Sequence, residues 1–222
     1  MTAPTIWNAV EHYLIDRLLP HDDALEQALA DSAAAALPAI SVAPTEGKML
    51  YLLARLAGAR RILEIGTLGG YSTIWLARAL PADGRLITLE ISERHADVAR
   101  INLQRAGVAE LVDVIVAPAL ESLSWLAAGT SAPFDLVFID ADKDNSVPYF
   151  EAALAMSRSG TMIIVDNVVR RGEVANAETD NASTLGVQRL MDLLQHDARV
   201  DATAVQTVGS KGYDGMLLAI VR

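Results

Sequence analysis

Two apolar runs in this 222-residue sequence each end in side chains that could bind a metal ion. Asp140 follows the run 134–139, and Asp166 and Asn167 follow the run 161–165. Such runs are typical of buried parallel strands, and open α/β folds bind their ligands at the carboxyl ends of these strands. If the two ends are adjacent, two carboxylates and one amide meet at one point. Oxygen ligands of this type favour a hard divalent cation such as Mg²⁺ over zinc.

A glycine-rich turn lies in segment 64–72, where the first predicted strand passes into a helix. Gly66, Gly69 and Gly70 let the backbone turn tightly and let a ligand approach it closely. Glu90 ends the next strand, where nucleotide-binding folds present a carboxylate to ribose hydroxyls. The spacing G-x-x-G-G differs from the pyrophosphate-binding G-x-G-x-x-G, which favours an adenosyl ligand without a diphosphate. Simple connectivity between elements remains the alternative interpretation of these residues.

The periodicity of apolar residues predicts the elements that position these side chains. Helices are expected before the sheet, at 5–19, 22–36 and 45–58. From Arg61 onward, strands and helices alternate, which indicates an α/β fold with a Rossmann-like, doubly wound and mostly parallel sheet. The predicted strands are 62–65, 85–90, 111–116, 134–140 and 161–166. The predicted helices between them are 71–80, 92–106, 119–128 and 146–157.

The end of the chain departs from this alternation. A helix near 184–196 precedes two strand-like runs, 200–208 and 215–221, which are separated by a Gly-rich turn. A hairpin there would make the last strand antiparallel. The polar stretch 170–183 predicts one long loop that leaves directly from Asn167, and loops of that length tend to cover functional sites.

Length and composition narrow the class of protein. The chain suits one domain spanning 1–222, with a helical N-terminal segment (1–58) and an α/β core (59–222). A net charge of -10 argues against nucleic acid as a partner, because the protein would repel phosphates. The absence of cysteine excludes thiolate metal sites and disulfides and fits a reducing compartment. The sequence shows no basic leader or long apolar run, so we expect a cytoplasmic protein without membrane contact.

Four ordered motifs resemble those of the cation-dependent S-adenosylmethionine O-methyltransferases of the catechol and caffeoyl-coenzyme A type. They are the glycine turn 64–72, Glu90, segment 138–144 and segment 165–168. The likeness runs from about residue 40 to the end, and four ordered motifs are more specific than one. The resemblance implies an enzyme that uses S-adenosylmethionine and Mg²⁺, or another hard cation such as Mn²⁺ or Ca²⁺. It implies methylation of one of two vicinal hydroxyls on a small aromatic (catechol-like) substrate, and it suggests a homodimer.

The resemblance assigns the metal and the chemistry to four residues. Asp140, Asp166 and Asn167 would be the metal ligands, and Lys143 would be the catalytic base. A phenol with an ordinary pKa near 10 is a poor nucleophile at neutral pH, so positive charge and a base must both assist its deprotonation. The alternative interpretations are that the Asp and Asn residues cap the following helices and that Lys143 is a solvated lysine in an acidic loop.

The resemblance also assigns cofactor contacts. Glu90 would hold the ribose, Gly66 and Ser72 would face the methionine part of the cofactor, and Ser41-Val42 would pass over cofactor and substrate. The full set of expected cofactor-binding residues lies in the glycine turn and at the neighbouring strand ends: Glu64, Gly66, Thr67, Gly70, Tyr71, Ser72, Glu90, Ala117 and Asp140.

Two places depart from the pattern of the family. Ala117 and Pro118 end the third strand where the family often has Gly-Asp, and Pro118 removes a backbone donor, which leaves the adenine contacts open. Asp214 and Gly215 resemble the opening of the last strand of the family, but with a longer turn before them. Two other functions remain as alternatives: a non-catalytic S-adenosylmethionine-binding protein and a dinucleotide-dependent oxidoreductase.

Overall fold

The protein is built on a seven-stranded sheet, seen in a computed structural model that describes residues 2–129 and 132–222. The strands are β1 (Arg61–Ile65), β2 (Arg85–Glu90), β3 (Val112–Val116), β4 (Phe134–Ile139), β5 (Ser157–Val165), β6 (Val200–Gly209) and β7 (Gly212–Val221). Their order across the sheet is β3-β2-β1-β4-β5-β7-β6, and β7 is antiparallel to both of its neighbours. The predicted Rossmann-like sheet with an antiparallel C-terminal hairpin is therefore confirmed.

Helices cover both faces of the sheet. They are α1 (Ala3–Leu18), α2 (Asp23–Ala34), α3 (Pro44–Leu56), α4 (Tyr71–Ala79), α5 (Glu93–Arg105), α6 (Ala119–Gly129), α7 (Ser146–Ala155) and α8 (Ala182–Gln195). Consecutive residues of a strand point to opposite faces, so Ile62 packs in the core beneath α2–α5 while Leu63 packs in the core beneath α6–α8. Within the described residues, no helix combines the length and apolarity that a membrane crossing requires.

The start of β5 lies outside the predicted range. This strand begins at Ser157 and not at Thr161, because Ser157 already pairs with Phe134 before a shift in register. Thr161 stabilises β5 at this shift in register, since its hydroxyl donates to the Phe134 carbonyl and accepts from the Arg158 N–H. Polar residues at the exposed start of the strand concealed it in the sequence.

The C-terminal hairpin is tighter than predicted. β7 begins at Gly212, so only Ser210 and Lys211 separate it from β6, and the longer turn expected before Asp214 is wrong. Gly212 has a φ of +99°, a backbone conformation that glycine adopts without strain. The expected loop 170–183 is also shorter, because it contains a 3-10 helix at Arg170–Ala175 and α8 begins within it.

Two glycines bring the loop after β4 into position. A Cβ at Gly66 would lie 2.1 Å from the carbonyl oxygen of Asp140, and a Cβ at Gly186 of α8 would lie 2.0 Å from that of Lys143. Side chains at either position would therefore push the Asp140–Lys143 loop away. The end of β1 and helix α8 thus fix this loop from two sides.

We predict that Gly66→Ala destabilises the fold much more than Gly107→Ala, the matched control. Both glycines have a positive φ, but a Cβ at Gly107 would meet nothing within 4 Å. Both variants incur backbone strain of about 1–2 kcal/mol, and Gly66→Ala adds an overpacking cost of about 1–3 kcal/mol. Urea unfolding measures the difference, and equal losses in the two variants would contradict the close approach.

Candidate active site

Asp140 and Asp166 stand side by side at the ends of adjacent strands. β4 and β5 pair in parallel up to Ile139 and Val165, and the Asp166 N–H donates to the Ile139 carbonyl at 3.0 Å. Adjacent strands lie about 4.8 Å apart, so residues at matching levels are close neighbours. Burial, and secondly the negative charge of Asp140, raise the pKa of the Asp166 carboxyl well above its usual value.

Lys143 is buried beside this pair. Its Nζ donates to Asp140 Oδ1 at 2.9 Å, and only 5% of the residue is exposed. Lysine is almost never buried without a charged partner, and Asp140 provides one. The interpretation of Lys143 as a solvated loop residue is therefore wrong.

Asn167 completes the cluster and adopts a left-handed backbone with a φ of +55°. Asparagine tolerates this conformation better than most residues, and the Asn167 N–H donates to Asp166 Oδ1 at 2.7 Å. The helices that follow the two strand ends have Asp142 and Val169 as their N-cap residues. The interpretation of Asp140, Asp166 and Asn167 as helix caps is therefore wrong.

Two cavities meet at this cluster. The glycine-turn cavity, of about 510 Å³, is lined by the segment after β1, by Glu90 and by Lys143. The hairpin cavity, of about 670 Å³, is lined by Asp166, by α3 and by the β6–β7 hairpin. Both volumes suit small molecules. The residues that line both cavities are Ile40, Ser41, Val42, Asn167 and Arg170.

Glu90 holds the glycine turn in place. Its Oε2 accepts from the N–H groups of Thr67 and Leu68, at 3.3 and 2.8 Å, and its Oε1 accepts from those of Ile91 and Ser92, at 3.1 and 3.0 Å. These four bonds join the turn after β1 to the turn after β2. They also support Leu68, a non-glycine residue with a φ of +50°. These hydrogen bonds thereby fix the backbone that forms the wall of the glycine-turn cavity.

Most of the expected cofactor-binding residues line the glycine-turn cavity. The residues that do so are Gly66, Thr67, Tyr71, Ser72, Glu90 and Asp140. Gly70 is instead the N-cap residue of α4 with a φ of +82°, and a Cβ there would meet Ala99. Ala119, and not Ala117, lies on the cavity wall, whereas the Ala117 N–H donates to the Glu90 carbonyl.

Glu64 lies behind the cavity wall, where it is fully buried. Its carboxyl group accepts hydrogen bonds from the hydroxyls of Ser72, Thr73 and Thr88 at 2.6, 2.5 and 2.7 Å. Burial is the largest influence on this group and raises its pKa to about 7, although the three hydrogen bonds oppose the shift. Glu64 therefore supports the turn and does not face the cavity.

Sequence reasoning missed Glu46, which is a third carboxylate near the cluster. It lines the hairpin cavity, where its Oε2 accepts from the Ala43 N–H at 2.9 Å and its Oε1 accepts from the Thr207 hydroxyl at 3.2 Å. Burial raises the pKa of Glu46, and the charge of Asp140 contributes in the same direction. In the sequence, Glu46 is notable only for lying three residues after a helix start, a position at which glutamate is typical of a capping box.

The donor set fits a hard divalent cation. Among residues 2–129 and 132–222, no group of three or more His, Cys, Asp or Glu side chains could hold a metal ion. The candidate donors at the two strand ends, all of which line one or both cavities, are the two carboxylates of Asp140 and Asp166 and the amide of Asn167. These are oxygen ligands of the kind that Mg²⁺ and Ca²⁺ prefer. A cation would also offset negative charge that Lys143 balances only in part.

Comparison with known proteins agrees with this arrangement. Residues 20–221 match a family model described as O-methyltransferase. The chain belongs to the O-methyltransferase family. The resemblance inferred from the four motifs is thereby confirmed, and with it the class of S-adenosylmethionine-dependent O-methyltransferases. The alternatives of a non-catalytic binding protein and of an oxidoreductase are set aside.

Three relatives illustrate the similarity of this O-methyltransferase to known proteins. A catechol O-methyltransferase of Mycobacterium tuberculosis is 53% identical over 213 residues, which cover 96% of this chain and 95% of the relative. An O-methyltransferase of Bacillus cereus, solved in complex with SAH, is 53% identical with a TM-score of 0.97, over 98% of this chain and 99% of its own. TomG of Streptomyces achromogenes, solved with SAM, is 48% identical with a TM-score of 0.96, over 100% and 99% of the chains.

We predict that Glu64 makes the stability of this O-methyltransferase fall as the pH rises. The pKa of its carboxyl group rises from an ordinary 4.5 to about 7 in the folded state, so between these values the unfolded chain releases a proton that the folded chain keeps. The free energy of unfolding should fall by up to about 3 kcal/mol across this interval. Glu64→Gln should remove the contribution of Glu64, so the wild type should lose up to about 3 kcal/mol more than the variant between pH 4.5 and 8, as urea unfolding measures. Parallel pH profiles for the two proteins would contradict the assignment.

Proposed function

We propose that the protein is an S-adenosylmethionine-dependent and divalent-cation-dependent O-methyltransferase that methylates one of two vicinal hydroxyls on a small aromatic substrate. The observation that carries this proposal is the cluster of Asp140, Lys143, Asp166 and Asn167 at the junction of two cavities. One cavity would hold the cofactor and the other the substrate. The reacting atoms would meet between them.

The glycine-turn cavity has the features that an adenosyl cofactor requires. Gly66 leaves room for close approach to the backbone, and Glu90 stands at the end of β2, where a ribose would lie. Relatives with 53% and 48% identity are solved with SAH and with SAM. We assign the methionine end to the neighbourhood of Gly66 and Ser72, and the ribose to Glu90.

The substrate would bind in the hairpin cavity, with its hydroxyls toward the cluster. Asp140, Asp166 and Asn167 would hold the cation. When bound, the cofactor supplies a methyl group on a positively charged sulfur, and the cation supplies positive charge that stabilises a deprotonated hydroxyl. Two adjacent hydroxyls suit a donor set of only three side chains, because both can approach the same ion. The similarity to a catechol O-methyltransferase supports this substrate class.

Lys143 is the residue placed to handle the proton. It lines the glycine-turn cavity and contacts Asp140, so its amine lies beside the place where the substrate hydroxyl would bind. With a cation offsetting the charge of Asp140, Lys143 would act as a neutral amine and take the proton from this hydroxyl. The hydroxyl oxygen would bond to the methyl carbon as the bond between that carbon and sulfur breaks, and S-adenosylhomocysteine would leave. Asp140 holds the amine in position. The surrounding walls would keep oxygen, methyl and sulfur in line, which is the main contribution of such a site to the rate.

We further propose a homodimer, in line with the resemblance. Exposed apolar side chains form a stripe along one side of α1, at positions spaced by three or four residues. The members of this stripe are Ile6, Val10, Tyr13, Leu14 and Leu18. A cytoplasmic location, which the absence of cysteine favours, completes the proposal.

We predict that methyl transfer requires a divalent cation and two adjacent hydroxyls. With labelled S-adenosylmethionine and a dihydroxybenzene carrying vicinal hydroxyls, Mg²⁺ should support turnover and a chelator should abolish it. The matched monohydroxy compound should not be methylated. Turnover that is unaffected by the chelator would reject the proposed role of the cation.

We predict that Asp166→Ala lowers kcat at least about 100-fold, because the site loses one of two carboxylate ligands. Calorimetry should show an affinity for S-adenosylhomocysteine within a few-fold of the wild type, because Asp166 lines the other cavity. Asp144→Asn is the control, since Asp144 is an exposed acid that follows the neighbouring strand β4 and lines neither cavity. Equal losses of turnover and of cofactor affinity would mean that Asp166 is structural.

We predict that Tyr13→Glu converts a dimer into monomers, because the charge would be buried in the apolar contact. Sedimentation velocity should give about twice the chain mass for the wild type and the single-chain mass for the variant. His12→Glu, at an exposed position on the other side of the helix, is the control. A monomeric wild type would refute the dimer.

A further inference from the structure

Arg170 is the feature of the site that the proposed chemistry does not use. It lies three residues after Asn167 and lines both the glycine-turn cavity and the hairpin cavity. Its Nε is buried and has no hydrogen-bond partner among the described residues. A buried donor without a partner is unfavourable. The guanidinium group of Arg170 therefore offers an unused charge at the junction of the two cavities.

The backbone holds Arg170 in an uncommon conformation. Asn167, Arg170 and Arg171 have φ values of +55°, +54° and +59°, a region that non-glycine residues rarely adopt. Asp214 stabilises this turn, because its Oδ1 accepts from the N–H groups of Val169 and Arg170 at 3.0 Å each. Strain that the surrounding structure maintains is typical of functional sites. The turn thus fixes the position of Arg170.

The acids around the hairpin cavity have other partners. Asp214 accepts from backbone N–H groups, and Glu11 accepts from the Ser210 N–H and the Thr45 hydroxyl. Glu173 accepts from the Thr179 hydroxyl. No ion pair of the described residues includes Arg170, so its charge is available to a ligand.

We propose that Arg170 binds a carboxylate on the aromatic substrate, which makes the preferred substrates dihydroxybenzoates or dihydroxycinnamates rather than neutral catechols. This inference rests on the proposed function. Arginine suits the role because its planar fork can donate two parallel hydrogen bonds to a carboxylate. The carboxylate of the cofactor is the other possible source of the same chemistry. We assign the substrate because the residues around Arg170, from Asp166 to Glu173, belong mostly to the hairpin cavity.

The test compares 3,4-dihydroxybenzoate with its methyl ester, which has the same vicinal hydroxyls but no charge. The wild type should have a kcat/KM for the acid about 10-fold or more above that for the ester. Arg170→Gln should lower kcat/KM for the acid about 10- to 100-fold, mainly through KM, and change the value for the ester by less than a few-fold. Arg170→Lys should retain part of the preference. Arg189→Gln, which removes an exposed charge from α8, should behave like the wild type.

Binding measurements separate this proposal from the proposed function. Calorimetry with S-adenosylhomocysteine should give equal affinities for the wild type and for Arg170→Gln, which also shows that the variant is folded. Direct binding of the acid and the ester to the cofactor-bound protein should show the same preference as turnover. If neither compound is methylated but the acid still binds better through Arg170, the proposed function fails and the recognition stands. Equal affinities for acid and ester in the wild type, or loss of S-adenosylhomocysteine binding in Arg170→Gln, would overturn the inference.

Discussion

The active site depends on two carboxylates held next to each other at a largely buried edge of the sheet. Asp140 and Asp166 end adjacent strands, and the backbone bond between Asp166 and Ile139 keeps them level. Two such charges cannot remain together in a buried place without compensation. Lys143 compensates Asp140 directly. In the proposed function a divalent cation compensates the remaining negative charge. The two adjacent carboxylates are unfavourable when no cation is bound, and for the same reason they favour the binding of one.

The acids of the site divide into two kinds by what they contact. Glu64 and Asp214 accept hydrogen bonds from hydroxyls or backbone N–H groups and hold the surrounding turns. Asp140 and Asp166 have fewer protein partners, since Asp140 accepts from Lys143 and Asp166 accepts from the Asn167 N–H. The first kind uses its charge to stabilise the backbone. The second kind keeps its oxygens available to a ligand, which is the arrangement that a binding site requires.

The sequence was sufficient for the parts of the structure that depend on local pattern. Alternating apolar runs and helix-period segments predicted the doubly wound sheet, and the first polar residue after a buried run located Asp140 and Asp166. The start of β5 was missed because its first residues are polar and exposed. The short turn before Gly212 was missed because a flexible segment and a tight turn have the same composition.

Other features could not be predicted because they are contacts between distant segments. Gly186 matters only because α8 packs against the Lys143 carbonyl, and nothing near it in the sequence indicates this. In the sequence, Glu46 resembles a glutamate in the first turn of a helix. The proposed role of Arg170 depends on a turn whose Arg170 N–H donates to Asp214, 44 residues later in the chain. Glu64 stands in the glycine motif, yet its side chain points to three hydroxyls behind the cavity wall.

Direct titration with Mn²⁺, followed by electron paramagnetic resonance, tests without any turnover whether Asp140, Asp166 and Asn167 converge on one cation. We expect about one tightly bound Mn²⁺ per chain, displaced by Mg²⁺, and binding weakened at least about 10-fold in Asn167→Ala and in Asp140→Asn. Stoichiometric binding that is unchanged in both variants, or no binding to the wild type, would contradict it.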